Sequence, residues 1–296
     1  MEQCTSSHRS SSNPMRRRGC AVLIASIAVS IATPAARAEQ GEAQPTKLMS
    51  EALVTDRPDF TESTETISPG RSQIEAGYTF TYDREGEDRM REHTAPELLL
   101  RVGVIANFEI RFGWEGYAWT DSQFEGKTRG GRRVTRADWS QGSHDLSFGF
   151  KYKLADQDGL IPHFGIIGAI TMPSGSPSVS SGDVDPEFLL LWAYDLTDSF
   201  SLAGNVGLAY STDGGDRFFQ TSGSISAAFS ISDRAGAYVE YFGFYPNTER
   251  SDAAHTVNAG LTYLINNDFQ IDCRIGVGLN EEADDFFTGV GFAWRF

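Results

Sequence analysis

The sequence predicts an all-β protein: an antiparallel transmembrane β-barrel of about 12 strands, with short periplasmic turns and longer extracellular loops. The first observation is the C-terminus, where Val290, Phe292, Trp294 and Phe296 alternate with small or polar residues. In a soluble protein such a strand would be an aggregation-prone edge, whereas the last strand of a barrel pairs with the first and faces lipid. The second observation is that apolar residues make up 40% of the chain yet are spread in alternation. The third is that no run of about twenty apolar residues, the length of a transmembrane helix, is present.

The N-terminus predicts export. Met15 is followed by three arginines, residues 21–32 form an apolar core, and Ala36 and Ala38 supply the small residues of a cleavage site. We therefore expect residues 1–38 to be a cleaved signal peptide and the protein to reach the outer membrane of a Gram-negative bacterium. A short membrane anchor is the alternative.

Charge and cysteine content narrow the partners. Residues 1–38 hold five basic residues and one acidic residue of the chain's 25 and 40, so 20 basic and 39 acidic residues remain, a net charge of −19. This acidity argues against nucleic acid as a partner. Only Cys273 follows the leader, so no internal disulfide is expected. Its position in an alternating stretch indicates a small lipid-facing residue.

Residues 39–72 form a polar, proline-containing stretch before the first strand, which we interpret as a periplasmic N-terminal extension. Because it lies so close to strand one, it can fold back into the barrel mouth and act as a plug. The plug candidates are Asp56, Arg57, Asp59, Phe60 and Glu62. The alternative is a periplasmic leader without a fixed place in the barrel.

The barrel is expected to span residues 73–296. In chain order, the alternating stretches are 74–82, 98–104, 110–114, 146–154, 161–172, 188–194, 200–210, 219–231, 237–245, 257–265, 271–279 and 290–296. Turn signals such as the Asn266-Asn267-Asp268 run separate them. Short turns and longer loops are expected to alternate strictly, with residues 120–142 as the longest loop. An even strand count places both termini on one side. A soluble β-sandwich explains neither this alternation nor the terminal Phe296.

Charged residues of both signs fall at the inward positions of these strands. Because a charge facing lipid costs a few kcal/mol near the bilayer midplane, they are expected to line the lumen. The candidates are Glu75, Glu97, Arg101, Glu109, Arg111, Glu115, Lys151, Lys153, Glu187, Asp195, Glu240, Asp272, Arg274 and Arg295. They would form either a water-filled charged passage or a structural web of ion pairs that conducts nothing.

Catalytic residues, cofactors and metal sites are not expected. His144 and Ser147, the nearest histidine–serine pair, differ in strand parity, and no nucleophile elbow, zinc helix or phosphate loop is present. The acidic run 281–285 is either a divalent-cation site or an ordinary solvated loop. The sharpest charge contrast is a basic group, which would contact lipopolysaccharide phosphates or an anionic solute, or be merely solvated: Lys127, Arg129, Arg132, Arg133 and Arg136.

Several motifs carry a family resemblance. They are residues 55–62 (TDRPDFTE), 96–101 (PELLLR), 145–153 (DLSFGFKYK) and 194–198 (YDLTD). In this order they resemble the outer-membrane "transporter" family grouped under the meta-pathway of phenol degradation. The resemblance implies an outer-membrane barrel with a role in the uptake of aromatic or other hydrophobic compounds.

Together these observations predict an outer-membrane channel or transporter for passive uptake of small molecules, without enzymatic activity. The expected partners are outer-membrane lipid and lipopolysaccharide, the small-molecule solute, and the barrel-assembly machinery. That machinery would read Val290, Phe292, Trp294 and Phe296 as its signal. The alternatives are a structural or adhesive barrel without conduction and, third, a barrel-embedded lipid hydrolase.

Overall fold

The computed structural model describes residues 52–127 and 133–296, and in these ranges most of the chain is β-strand. The strands are β1 (Ser72–Glu85), β2 (Asp88–Ile105), β3 (Phe108–Trp114), β4 (Tyr117–Lys127), β5 (Arg133–Ser143), β6 (Leu146–Ala155), β7 (His163–Met172), β8 (Asp185–Thr197), β9 (Phe200–Asp213), β10 (Asp216–Ser230), β11 (Ala235–Tyr245), β12 (Ala254–Asn266), β13 (Phe269–Gly278) and β14 (Phe286–Arg295). Within the same two ranges, no helix has the length and hydropathy needed to cross a membrane. The predicted signal peptide, residues 1–38, lies outside the described residues.

The sheet closes on itself. β1 pairs with β2 on one side and with β14 on the other, and each further neighbour is antiparallel. β3 and β4 share one position in the ring because both pair with β2, and β5 and β6 share the next. The ring therefore has twelve strand positions, which confirms the predicted fold class.

Each shared position is one barrel strand that is interrupted near its middle. β3 and β4 are the two parts of the first such strand, and β5 and β6 are the two parts of the second. β2 pairs with β4 through residues 89–95 and with β3 through residues 98–105, and Pro96, which has no N–H to donate, lies between them. Opposite it, Gly116 has a φ of 93° and separates β3 from β4. His144 N still donates to Gly116 O at 2.8 Å, so the interruption is a kink and not a gap.

The longest loop was therefore predicted wrongly. Most of residues 120–142 belong to β4 and β5, which form a hairpin beyond the kink. The alternating apolar signal is absent from this hairpin because both faces of its β5 arm, including Asp138 and Trp139, are exposed to solvent. A strand that leaves the lipid layer no longer needs an apolar face.

Connections at the two rims only partly follow the predicted alternation. We call the rim that carries Ser72 and Phe296 the terminal rim and the opposite one the far rim. The far rim carries the longer connections 173–184, 246–253 and 279–285, but also the two-residue turns at 86–87 and 214–215. The glycines of these turns have positive φ, which tight hairpins require. The terminal rim has short turns apart from 156–162.

Side chains alternate between an apolar outer surface and a polar interior. On β6, Phe148, Phe150 and Tyr152 are exposed, whereas Lys151 between them is fully buried. Tyrosine–histidine pairs lie on the outer surface towards the far rim: the Tyr78 hydroxyl is 2.7 Å from His93 Nδ1. Such amphipathic side chains suit a membrane–water interface.

Phe296 completes the closure. Ser72 and Phe296 exchange both backbone hydrogen bonds, at 2.9 and 2.8 Å, and the Phe296 ring packs 4.9 Å from Trp294 on the outer surface. Deleting Phe296 removes both bonds and the terminal aromatic, so we expect a sharp fall in assembled protein. The measurement is the heat-modifiable barrel band in outer-membrane fractions, with Phe296→Tyr as the control that keeps the backbone bonds and the ring. Equal band intensities for the deletion and the intact chain would contradict this prediction.

Candidate functional site: the barrel lumen

The lumen is occupied by the chain's own residues 53–67, which we call the lumen segment. The segment enters at the terminal rim and rises along the inner face of β13. Its successive contacts there are Leu53 N to Asn267 O (2.7 Å), Gln270 Nε2 to Thr55 Oγ1 (3.0 Å), Arg57 Nη2 to Asp272 Oδ1 (3.4 Å) and Arg274 Nη1 to Pro58 O (3.1 Å). It then crosses the lumen and returns to β1. None of its residues belongs to a strand, so side chains supply most of its attachment.

Asp56 is the centre of the attachment to one wall. Its carboxylate lies 3.0 Å from Arg101, 2.6 Å from Arg111 and 2.7 Å from Lys151, and all four side chains are almost fully buried. Burial alone would raise the pKa of Asp56, but the three cations outweigh it and hold this pKa well below its ordinary range. The three cations therefore favour the charged form of Asp56 inside the barrel.

Further carboxylates of the segment extend this contact. Glu62 forms a two-pronged ion pair with Arg111, at 2.8 and 2.9 Å, and lies 3.2 Å from Lys151. Nearer the terminal rim, Glu65 pairs with Lys153 at 2.7 Å. We call the wall formed by Arg101, Arg111, Lys151 and Lys153 the cationic wall.

The cationic wall also contains acids. Glu109 and Glu75 lie 2.8 and 3.2 Å from Arg101. Both also accept backbone N–H groups of the segment: Glu75 from Asp56 at 3.0 Å and Glu109 from Ile67 at 2.8 Å. The wall therefore binds main chain as well as side chains of the segment.

Glu240 on β11 anchors the segment to the opposite wall. It accepts hydrogen bonds from Phe60 N at 2.7 Å, Thr61 Oγ1 at 2.5 Å and Asn258 Nδ2 at 2.6 Å. No cation pairs with this buried carboxylate within the described residues, so neutral donors stabilise it. Ser226 adds a bond of 3.0 Å to Asp59.

An aromatic cluster accompanies this anchor. The Phe60 ring stacks on Phe242 with centroids 4.4 Å apart and planes 8° from parallel. It meets Phe244 edge-on at 5.3 Å. Both partners lie on the inner face of β11, in the same parity as Glu240. Phe60 therefore anchors the middle of the segment in an apolar site on the inner wall.

Arg57 lies flat against the seam between the first and last strands. It pairs with Glu97 at 3.0 Å and with Asp272 at 3.4 Å. Burial lowers its pKa, but these two carboxylates raise it above the ordinary value. Gly77 and Gly291, direct cross-strand neighbours, face its guanidinium, and a Cβ at either would collide with it. Glycine is thus required here for close approach.

The remaining lumen candidates are divided between the inner wall and the terminal rim. Glu115 is buried beside His144, 3.3 Å away, at the kink. Glu187 is partly buried on β8, and Arg274 also lies 3.6 Å from Glu97. Asp195, in contrast, is exposed at the terminal rim, where its carboxylate is 3.5 Å from His163. Arg295 pairs at the same rim with Asp268, at 2.8 Å.

The structure describes only a small part of the predicted basic group. Arg129 and Arg132 lie outside the described residues, as do the side chains of Lys127 and Arg133. Arg136 is exposed on β5. A different acidic group, Glu65, Asp156 and His163, comes close enough to hold a metal ion, but Lys153 already pairs with the first two at the terminal rim.

Apolar residues on the inner wall were not predicted. Ile167, Leu189 and Leu191 form a buried cluster inside the barrel, and Phe242 and Phe244 hold the Phe60 ring. The signal was in the sequence: residues 188–192 are apolar without interruption, so the strand has an apolar inner face as well as an outer one.

Comparison with known proteins identifies the family of this chain. Residues 55–296 match the family described as "Putative MetA-pathway of phenol degradation". The chain belongs to this family. The match begins at Thr55, so it includes all but the first two residues of the lumen segment as well as the barrel. The resemblance noted from the sequence motifs is thereby confirmed.

Solved structures support the fold. An outer membrane channel from Pseudomonas putida F1 has a TM-score of 0.57 and 11% sequence identity, over 86% of this chain and all of that one. The CymD monoaromatic hydrocarbon channel is a weaker likeness, with a TM-score of 0.43 and 10% identity over 78% of this chain and 89% of that one. No curated protein matches the sequence. The first likeness confirms the closed antiparallel β-barrel fold.

Proposed function

We propose that this member of the family is a passive channel for small molecules across the outer membrane, and that the lumen segment narrows the passage. Membership of a family described by phenol degradation favours aromatic or other hydrophobic compounds among the solutes. The observation that carries the proposal is the way the lumen is filled. Its filler is a non-strand segment held largely by polar side chains, so water can replace its contacts when it leaves.

The proposal includes the route to the membrane. Residues 1–38 act as a cleaved signal peptide, residues 39–72 are a periplasmic extension that includes the lumen segment, and residues 73–296 form the barrel. The terminal rim then faces the periplasm and the far rim the exterior, where basic residues such as Arg136 meet lipopolysaccharide. The assembly machinery recognises four apolar residues of the last strand, all exposed on the outer surface: Val290, Phe292, Trp294 and Phe296. The barrel carries out no enzymatic reaction.

The competing function is a structural or adhesive barrel in which the same ion pairs form a permanent core. The two differ in whether the lumen segment can move. Buried ion pairs contribute little net stability because desolvation offsets much of their attraction, so a segment held by them can be displaced at modest cost. An apolar core of equal size would not be displaced in this way.

Deleting residues 51–65 from the otherwise intact chain tests the proposal. We expect a larger single-channel conductance in planar bilayers, because the side chains that cross the lumen are gone while every strand remains. The matched control deletes residues 39–50, which lie ahead of the segment, and should leave conductance unchanged. Heat-modifiable migration confirms that each barrel has assembled.

If the barrel assembles and neither the intact nor the shortened chain conducts, the channel proposal is wrong and the structural barrel is favoured. If both conduct equally, the segment does not narrow the passage.

A further inference from the structure

Lys151 has an unusual set of partners. Its ammonium lies 2.7 and 2.8 Å from the two oxygens of Asp56, 3.2 Å from Glu62 and 3.4 Å from the Ser63 hydroxyl. All three partners belong to the lumen segment. Within the described residues, no carboxylate of the barrel wall lies within ion-pair distance of Lys151.

Arg111 is nearly in the same position. Its short ion pairs go to Asp56 and Glu62, and its one wall carboxylate, Glu109, is 3.5 Å away. Glu109 is itself bound more closely by Arg101, at 2.8 Å. When the lumen segment leaves, Lys151 therefore loses its carboxylate partners, and Arg111 keeps only the longer contact with Glu109. The segment carries four acids and one base, so its exit also removes a net charge of −3 from the lumen.

The groups that now satisfy these cations are both carboxylates, and their geometry is specific. Glu62 meets the guanidinium of Arg111 with two parallel hydrogen bonds, the arrangement that arginine forms with a planar carboxylate. Asp56 presents both oxygens to Lys151. The site is thus already shaped for two carboxylate groups and is enclosed by the wall on one side.

We propose that Arg111 and Lys151 form a solute site for small carboxylates, and that Asp56 and Glu62 are tethered stand-ins that occupy it while the segment is in the lumen. The inference rests on the proposed passage and names a solute class for it. Solute and segment compete for one site, so a free carboxylate favours the state in which the segment has left. The carboxylate solute thereby promotes its own passage.

The experiment follows exposure of the segment in the full-length chain. Thr64→Cys is introduced with Cys4, Cys20 and Cys273 replaced by serine, because Thr64 is buried and its side chain makes no hydrogen bond among the described residues. The rate of labelling by a water-soluble maleimide then reports how often the segment leaves the lumen. Sodium benzoate is compared with sodium chloride and sodium phosphate at equal ionic strength, and with the neutral benzamide.

We expect benzoate to accelerate labelling several-fold over chloride, and benzamide to have no effect. Lys151→Gln should raise the basal rate and abolish the ratio between benzoate and chloride. Lys153→Gln is the matched control: it also releases a segment carboxylate, Glu65, but leaves the Arg111–Lys151 site intact, so the benzoate ratio should persist.

Equal rates in benzoate, chloride and benzamide would overturn the inference, as would a benzoate ratio that survives Lys151→Gln. Acceleration by phosphate equal to that by benzoate would replace the carboxylate site with a general anion site and so overturn the named class. These outcomes are separate from failure of the channel itself. A barrel that conducts after deletion of residues 51–65 but shows no benzoate effect contradicts only the carboxylate site.

Discussion

Replacing Asp56 with alanine is expected to release the lumen segment from the cationic wall. The change leaves Arg101, Arg111 and Lys151 without the carboxylate they share, and loss of one partner of a buried ion pair costs about 3–5 kcal/mol. Because the loss falls on the docked state, the displaced state gains population. Hydrogen exchange of the backbone amides of residues 53–67 measures this directly, and we expect their protection to fall while that of the strands remains.

The control for Asp56→Ala is Asp252→Ala, which removes an exposed carboxylate from the connection 246–253 at the far rim. Its exchange should match that of the unmodified chain. Unchanged protection of the segment in Asp56→Ala would show that the cationic wall does not hold it.

Replacing Glu240 with alanine is expected to loosen the same segment from the opposite side. Phe60 N, Thr61 Oγ1 and Asn258 Nδ2 would lose their common acceptor, and each buried group left unsatisfied costs about 1–3 kcal/mol. Glu240→Gln keeps one acceptor oxygen and should have a smaller effect. Protection of Phe60 and Thr61 against hydrogen exchange is again the measurement.

Combining the two alanine substitutions tests whether the segment moves as one unit. If it does, either change already displaces the whole segment, and the double variant adds less than the sum of the single effects. Strict additivity would indicate instead that its two sides detach independently.

The fold was predictable because strands that face lipid on one side must follow a fixed alternation of apolar and polar residues. Lipid requires an apolar residue at every second position, as at Ile271, Cys273 and Ile275, and all three are exposed on the outer surface. The same rule placed Arg101 and Lys151 on the inner wall. It failed at residues 120–142. There the strands extend beyond the lipid and water reaches both faces, so no alternation of apolar and polar residues is required.

The partners of the lumen residues could not be predicted from the pattern. Alternation assigns Glu240 to the interior, but it does not indicate that Phe60, 180 residues away, donates to it. That contact depends on closure of the barrel, which brings distant strands to one cavity. The site that holds the Arg57 guanidinium is a second example, because Gly77 and Gly291 become neighbours only when the first strand pairs with the last. The contacts that hold the lumen segment therefore join residues that are far apart in the sequence.

The path of the lumen segment also has a mechanical consequence. Its contacts with β13 follow one another from Asn267 to Arg274 as the segment rises from the terminal rim. A pull on Leu53 towards that rim would load these contacts one after another, as in peeling, and not all together, as in shear. The force needed at any moment is then that of one or two contacts and not that of all of them together. A weak but sustained pull on Leu53 from the terminal rim would then suffice to withdraw the segment.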